Sequence, residues 1–170
     1  SGTYWLDVAR RDWSEKLLAA GSMRPDQMPK LYEGTDATGR LTPAGARSWG
    51  MPKRPVVAGG GGDNAAAACG IGAVTDNAAL VSIGTSGVLF VSNDKFRPNA
   101  GRAVHAFCHA LPDRWHQMSV HLPAAASLSW WSSISGQSEA ALLGELGAQV
   151  EHPSPILFTP YLSCERTPHN

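Results

Sequence analysis

The stretch Val56-Val57-Ala58-Gly59-Gly60-Gly61-Gly62-Asp63-Asn64-Ala65-Ala66-Ala67-Ala68-Cys69 changes character twice. Pro55 to Ala58 reads as a short buried strand, being β-branched and bounded by proline and glycine. Four glycines follow. They cost backbone entropy, and folds keep such runs where backbone must approach something closely or take unusual dihedrals. From Asn64 the alanines predict a helix. The order strand, glycine turn, helix therefore puts Asp63 at a helix start. Two readings of Asp63 stand side by side here. It caps its helix, or it is a base facing a neutral hydroxyl at a cleft. A phosphate is a poor partner for this turn, because a carboxylate competes for the same amides.

Outward from this stretch, the pattern is helical before it and mainly strand-like after it. Asp12-Trp13-Ser14-Glu15 has capping-box spacing with Asp12 as N-cap, and Gly21 closes that helix. Arg24 to Gly39 is rich in Pro, Gly and Asp and reads as loop with at most one turn. Thr42-Pro43 opens a second helix that ends at Gly50. Beyond Val74-Thr75-Asp76 the spacing predicts strands over 78–83 and 88–91 around the turn Gly84-Thr85-Ser86-Gly87, then strands over 104–110 and 115–120. Helices are expected over 123–134 and 138–148, and a last strand over 156–159.

Three further segments could carry chemistry. Gly84, Thr85, Ser86 and Gly87 combine two glycines with two hydroxyls, a turn that can wrap a phosphate with N–H and O–H donors. Taken alone it also reads as an ordinary hairpin. No lysine follows as in a Walker A loop, and the glycine spacing is not that of a nucleophile elbow. His105, Cys108, His109, His116 and His121 invite a zinc reading. Strand alternation separates His105 and His109 from Cys108, and no second Cys pair exists, so satisfied core or interface histidines and no metal site are expected. Glu165-Arg166 sits in a proline-bounded loop and reads as a surface pair, with a place in a cleft as the alternative.

Composition limits the function classes. Fourteen basic residues balance fourteen acidic ones, so no electrostatic feature points to nucleic acid or an anionic membrane. No apolar run is long enough to span a bilayer. Three scattered cysteines form no disulfide framework and fit a cytoplasmic setting. The chain starts without Met in what reads as mid-element and stops just after an apolar stretch, so a fragment of a longer protein is expected.

In this order and spacing, Gly2 to Ser14, Leu31-Tyr32-Glu33-Gly34, Val56 to Ala66, Ser82 to Gly87, Val104-His105 with Phe107 to Ala110, and Pro160 to Asn170 resemble the FGGY carbohydrate kinases along nearly the whole chain. The resemblance implies an α/β, actin/hexokinase-like (ribonuclease-H-like) two-lobed kinase with both lobes incomplete. Residues 1–74 would be the C-terminal part of the first, sugar-binding lobe. Residues 75–170 would be the N-terminal part of the second, ATP-binding lobe. It also implies transfer of the ATP γ-phosphate, with Mg²⁺, to a small sugar, D-xylulose giving D-xylulose 5-phosphate. Ribulose, gluconate or glycerol as acceptor, or a non-catalytic nucleotide-binding module of the same superfold, are the alternatives.

By the same resemblance Asp63 takes the catalytic base position and Asn64 lies beside the sugar. Gly84 to Gly87 becomes the phosphate-binding hairpin, and the Glu165 loop lies near the cleft. Four glycines precede Asp63 where the family pattern has about three, and Cys164 stands where it has Gly. The family's first phosphate loop, its Met-His sugar contact and its adenosine-binding Gly-Gly segment are expected before residue 1 and after residue 170. The chain alone is thus expected to be inactive, and its uncovered apolar surface predicts self-association, most simply as a homodimer.

Overall fold

The computed structural model describes residues 2–147, 152–159, 161–162 and 165–168. The elements follow one another along the chain as β1 (Leu6–Asp7), β2 (Asp12–Trp13), α1 (Glu15–Ala20), β3 (Ala37–Arg40), α2 (Pro43–Ser48), β4 (Val56–Ala58), α3 (Asp63–Ile71), β5 (Ala79–Ile83), β6 (Gly87–Asn93), β7 (His105–Cys108), β8 (Trp115–His121), α4 (Ala125–Ser135) and α5 (Glu139–Gly144). Strand β1 pairs antiparallel with β2, and β3 with β4, while the remaining strands form one sheet in the order β5-β6-β8-β7. Among the described residues no helix is long and apolar enough to cross a membrane.

Several elements form for the local reasons their residues supply. The Thr42 hydroxyl accepts the Gly45 N–H at 3.1 Å, and Pro43 opens α2 without leaving a donor unpaired. Ser138 caps α5 in the same way. The first helix departs from expectation. Its cap is Ser14, whose Oγ accepts the Leu17 N–H, because Asp12 and Trp13 are drawn into β2 opposite Leu6 and Asp7. Strand β3 overlaps the end of the stretch expected to be loop. Its composition is poor for a strand, but β4 supplies an antiparallel partner, with a shift of register between Ala37 and Gly39. Strand β4 is itself exposed, with Val56 at 52% and Val57 at 45%; the expected burial fails because β3 covers an edge of it and not a face. Residues 156–159 form no strand. Helix α5 ends at Gly144, and Ala148, the expected end, lies outside the described residues.

The chain packs as two compact units. The first comprises Ser1–Leu80, Phe90–Pro98 and His105–Gln117; the second comprises Val81–Leu89, Asn99–Val104 and Met118–Asn170. In the first unit Phe90 is fully buried, with His116 stacked on it and His109 edge-on. Ser92, also fully buried, donates to the Ala73 carbonyl at 2.6 Å. In the second unit Val120 is buried, and Trp130 stacks on Phe158 beside an apolar cavity of about 520 Å³.

Candidate active site

The glycine run is built into the first unit by close approach on two sides. The Gly59 N–H donates to the Asp36 carbonyl and the Gly60 N–H to the Gly34 carbonyl, both at 2.9 Å. A Cβ on Gly59 would overlap the Glu33 carbonyl, one on Gly34 would overlap the carbonyls of Ala110 and Gly60, and one on Gly61 would lie 2.6 Å from the Ala110 Cβ. Gly60 also sits at φ +76°, where a side chain is strained. The run thus forms one wall of a cleft of about 260 Å³, shared with Arg11, Glu33, Asp36 and His109.

Asp63 follows directly on that wall. It is the first residue of α3, one position past the N-cap, which is Gly62 and carries no capping side chain. The capping reading of Asp63 is therefore corrected. Its Oδ1 instead accepts the Asn64 N–H at 2.8 Å and the Asn64 Nδ2 at 3.3 Å. The carboxylate is exposed, and Oδ2 takes no hydrogen bond among the described residues.

The hairpin turn lies in the second unit. The Gly84 and Thr85 carbonyls accept the N–H groups of Ala125 and Ala124, each at 2.9 Å. The start of α4 therefore anchors the turn by its carbonyls. Gly87 packs closely on Ala124: an added Cβ would lie 3.1 Å from the Ala124 Cβ, which would have to give by a few tenths of an ångström. Thr85 and Ser86 are exposed, and among the described residues neither their N–H groups nor their hydroxyls donate to protein. These donors, held on an anchored turn, are free for an anion.

The remaining candidates divide. His109 and His116 are buried, as expected for core histidines, but they are not fully satisfied. His109 Nδ1 accepts the Leu111 N–H at 3.2 Å, whereas His109 Nε2 and His116 Nδ1 have no partner among the described residues. Burial, and then the charges of Arg114 and Arg11, push the His109 pKa down. Burial, and then His109, push His116 down to about 4. Burial pushes the Cys108 thiol up, so it stays protonated and unreactive. Among the described residues no group of His, Cys, Asp and Glu is gathered as a metal site would need.

Glu165 is not a surface pair with Arg166. Its side chain is only 3% exposed; Oε1 accepts the N–H groups of Leu122 and Arg166, and Oε2 lies 3.6 Å from His121 Nδ1. Two residues on, the Thr167 hydroxyl donates to the Ala103 carbonyl and accepts the Val120 N–H. Cys164 lies outside the described residues.

Sequence reasoning missed the centre of the cleft. Arg11, held at φ +56°, donates through Nε and Nη2 to the two carboxylate oxygens of Glu33 and through Nη1 to the Arg114 carbonyl at 2.7 Å. Its guanidinium lies 5.0 Å from the Trp115 ring centroid. Burial opposes its charge, but the Glu33 hydrogen bond and neighbouring negative charge outweigh that and raise its pKa. No local pattern announces these contacts, because the partners are 22 and 103 residues away.

These features are those of a part of the actin/hexokinase-like fold. The chain belongs to the FGGY family of carbohydrate kinases: residues 1–70 match the model of the family's N-terminal domain. Over its whole length it is 53% identical to the xylulose kinase of Escherichia coli K12 and 52% identical to that of Klebsiella pneumoniae. Among solved structures, a xyloylose kinase from Brucella ovis superposes with a TM-score of 0.91 at 51% identity, covering 98% of this chain and 34% of that one. The xylulose kinase of Rhodospirillum rubrum, at 21% identity and TM-score 0.81, shows the shared fold. The chain spans about a third of the curated relatives' length, 35% of each of the first two.

Proposed function

We propose that the protein containing this chain is an ATP-dependent sugar kinase acting on D-xylulose. Two observations support a kinase: an exposed carboxylate at the start of α3, and an anchored turn with unspent N–H and O–H donors at Thr85 and Ser86. The choice of D-xylulose rests on the relatives that are more than half identical and carry the name xylulose kinase. In this reading residues 1–74 are part of a sugar-binding lobe, consistent with the N-terminal domain match over 1–70, and residues 75–170 are part of an ATP-binding lobe.

Phosphoryl transfer asks the protein mainly to position groups and stabilise charge. Asp63 Oδ2 accepts the proton of the terminal sugar hydroxyl as that oxygen bonds to the γ-phosphorus and the bridging bond to ADP breaks. Asn64, hydrogen-bonded to the same carboxylate, orients it and faces the sugar. Gly84 and Gly87 shape the turn, and Thr85 and Ser86 donate to phosphate oxygens. Mg²⁺ would sit on the nucleotide phosphates and water, neutralising charge there; among the described residues no group of side chains is gathered to hold it. Sparse cysteines fit a cytoplasmic reaction.

The test is ADP release by the full-length protein over a panel of D-xylulose, ribulose, gluconate and glycerol. The highest kcat/KM is expected with D-xylulose. A higher value with another acceptor moves the assignment within the family, and no turnover with any acceptor favours a non-catalytic module.

A further inference from the structure

We propose that Arg11 is a positioning residue for Asp63, acting by clamping together the two walls that hold the glycine run. The inference rests on the reading of Asp63 as the base. Four glycines in a row have no side chains to fix their path, so the aim of the carboxylate that follows depends on what grips the run from outside. One wall is the Glu33–Asp36 turn. The Asp36 carboxylate accepts the Glu33 N–H, the Asp36 N–H donates to the Glu33 carbonyl, and Gly59 and Gly60 donate to carbonyls of this turn. The other wall is Ala110, against which Gly34 and Gly61 pack with no room for a Cβ.

Arg11 joins the two walls. Its fork takes both carboxylate oxygens of Glu33 on one side and the Arg114 carbonyl, which closes the turn following Ala110, on the other. The Arg114 carbonyl also accepts the His109 N–H at 2.9 Å, so that turn is closed across its base. The guanidinium side chain is 14% exposed and the Glu33 side chain 32%. This is a shielded bidentate pair, not a solvated surface one. The planar fork matters: an ammonium cannot hold a carboxylate in two-point contact and a carbonyl in fixed directions at once. Arg11 itself lines the cleft and does not touch Asp63, so its effect passes through the glycines.

The experiment compares Arg11→Gln, Arg11→Lys, Glu33→Gln and the double variant Arg11→Gln/Glu33→Gln with Asp63→Asn, all in the full-length protein. Turnover is read at saturating sugar and ATP, normalised to folded protein by its melting transition. Asp63→Asn is expected to abolish turnover. Arg11→Gln is expected to lower kcat by roughly 10- to 100-fold, the scale of a small misplacement of a reacting group, with KM for ATP unchanged. Arg11→Lys should recover part of the loss, and the double variant should be no worse than Arg11→Gln alone, because both remove one clamp.

Full kcat in Arg11→Gln with an inactive Asp63→Asn overturns the positioning role alone. So does a kcat loss that merely tracks lost folded protein. If Arg11→Gln does not fold, full kcat in both Arg11→Lys and Glu33→Gln overturns it. Undiminished turnover in Asp63→Asn overturns the base assignment beneath it.

Discussion

The imidazole of His116 stacks on the fully buried ring of Phe90, with centroids 4.3 Å apart and planes 22° apart. His116 is 6% exposed, and its Nδ1 has no partner among the described residues. A protonated ring there would place a charge against an aromatic core and beside His109.

This sets a pH dependence of stability. The folded His116 pKa is about 4, below the value near 6.5 of an unfolded chain. Between those values the unfolded state binds the proton and the folded state does not, so stability falls as pH falls through that window and is flat above it for this group. The expected loss is about 2–3 kcal/mol by pH 4. His109, also pushed down, adds in the same direction. Urea titrations of the full-length protein at several pH values check this, with His116→Phe expected to flatten the slope.

Asp63 is exposed at the first position of α3, is not its N-cap and accepts hydrogen bonds only from the neighbouring Asn64 among the described residues, so removing its carboxylate should leave the fold intact. Asp63→Ala is expected to cost under about 0.5 kcal/mol of stability, as surface changes usually do. Turnover should fall by at least about a hundredfold, the scale of a lost general base. Near-normal turnover with an intact melt would remove the base assignment.

The hydroxyls of Thr85 and Ser86 donate to no protein group among the described residues, so their loss should be felt by phosphate and not by the fold. Thr85→Val with Ser86→Ala is expected to weaken ATP turnover by about 10- to 1,000-fold, roughly the value of one or two charge-assisted hydrogen bonds, with the melting temperature nearly unchanged. A fall in melting temperature with normal ATP kinetics would assign these hydroxyls to structure.

Gly34 and Gly39 offer a matched pair. An added methyl at Gly34 meets the carbonyls of Ala110 and Gly60, whereas nothing lies within 4 Å of one at Gly39. Gly34→Ala is expected to destabilise by about 1–3 kcal/mol or more, and Gly39→Ala by less than about 0.5 kcal/mol. Equal melting temperatures for the two would show that the Glu33–Asp36 turn does not grip the glycine run.

Much of the architecture was legible locally. The Thr42-Pro43 cap, the glycine-to-alanine switch at Asp63 and the hairpin around Gly84 to Gly87 each follow from dihedral preference, side-chain period or capping chemistry within a few residues. The family was reached differently, by the resemblance of the ordered motifs along the chain. Other features could not be read this way. Asp12 has the chemistry of a cap, and only pairing with β1 decides that Ser14 takes that role. Ala37–Arg40 has no strand composition until β4 lies beside it. Glu165 looked like half of a surface pair until the Leu122 N–H claimed it.

The sequence by itself determined that a carboxylate would stand at the start of a helix behind a flexible glycine run. Only the tertiary structure decided what holds that run still. Glycines carry no side chains to record their neighbours, and the groups that grip them, Gly34, Ala110 and the Arg11–Glu33 pair, are brought from far along the chain by packing that no short-range pattern encodes.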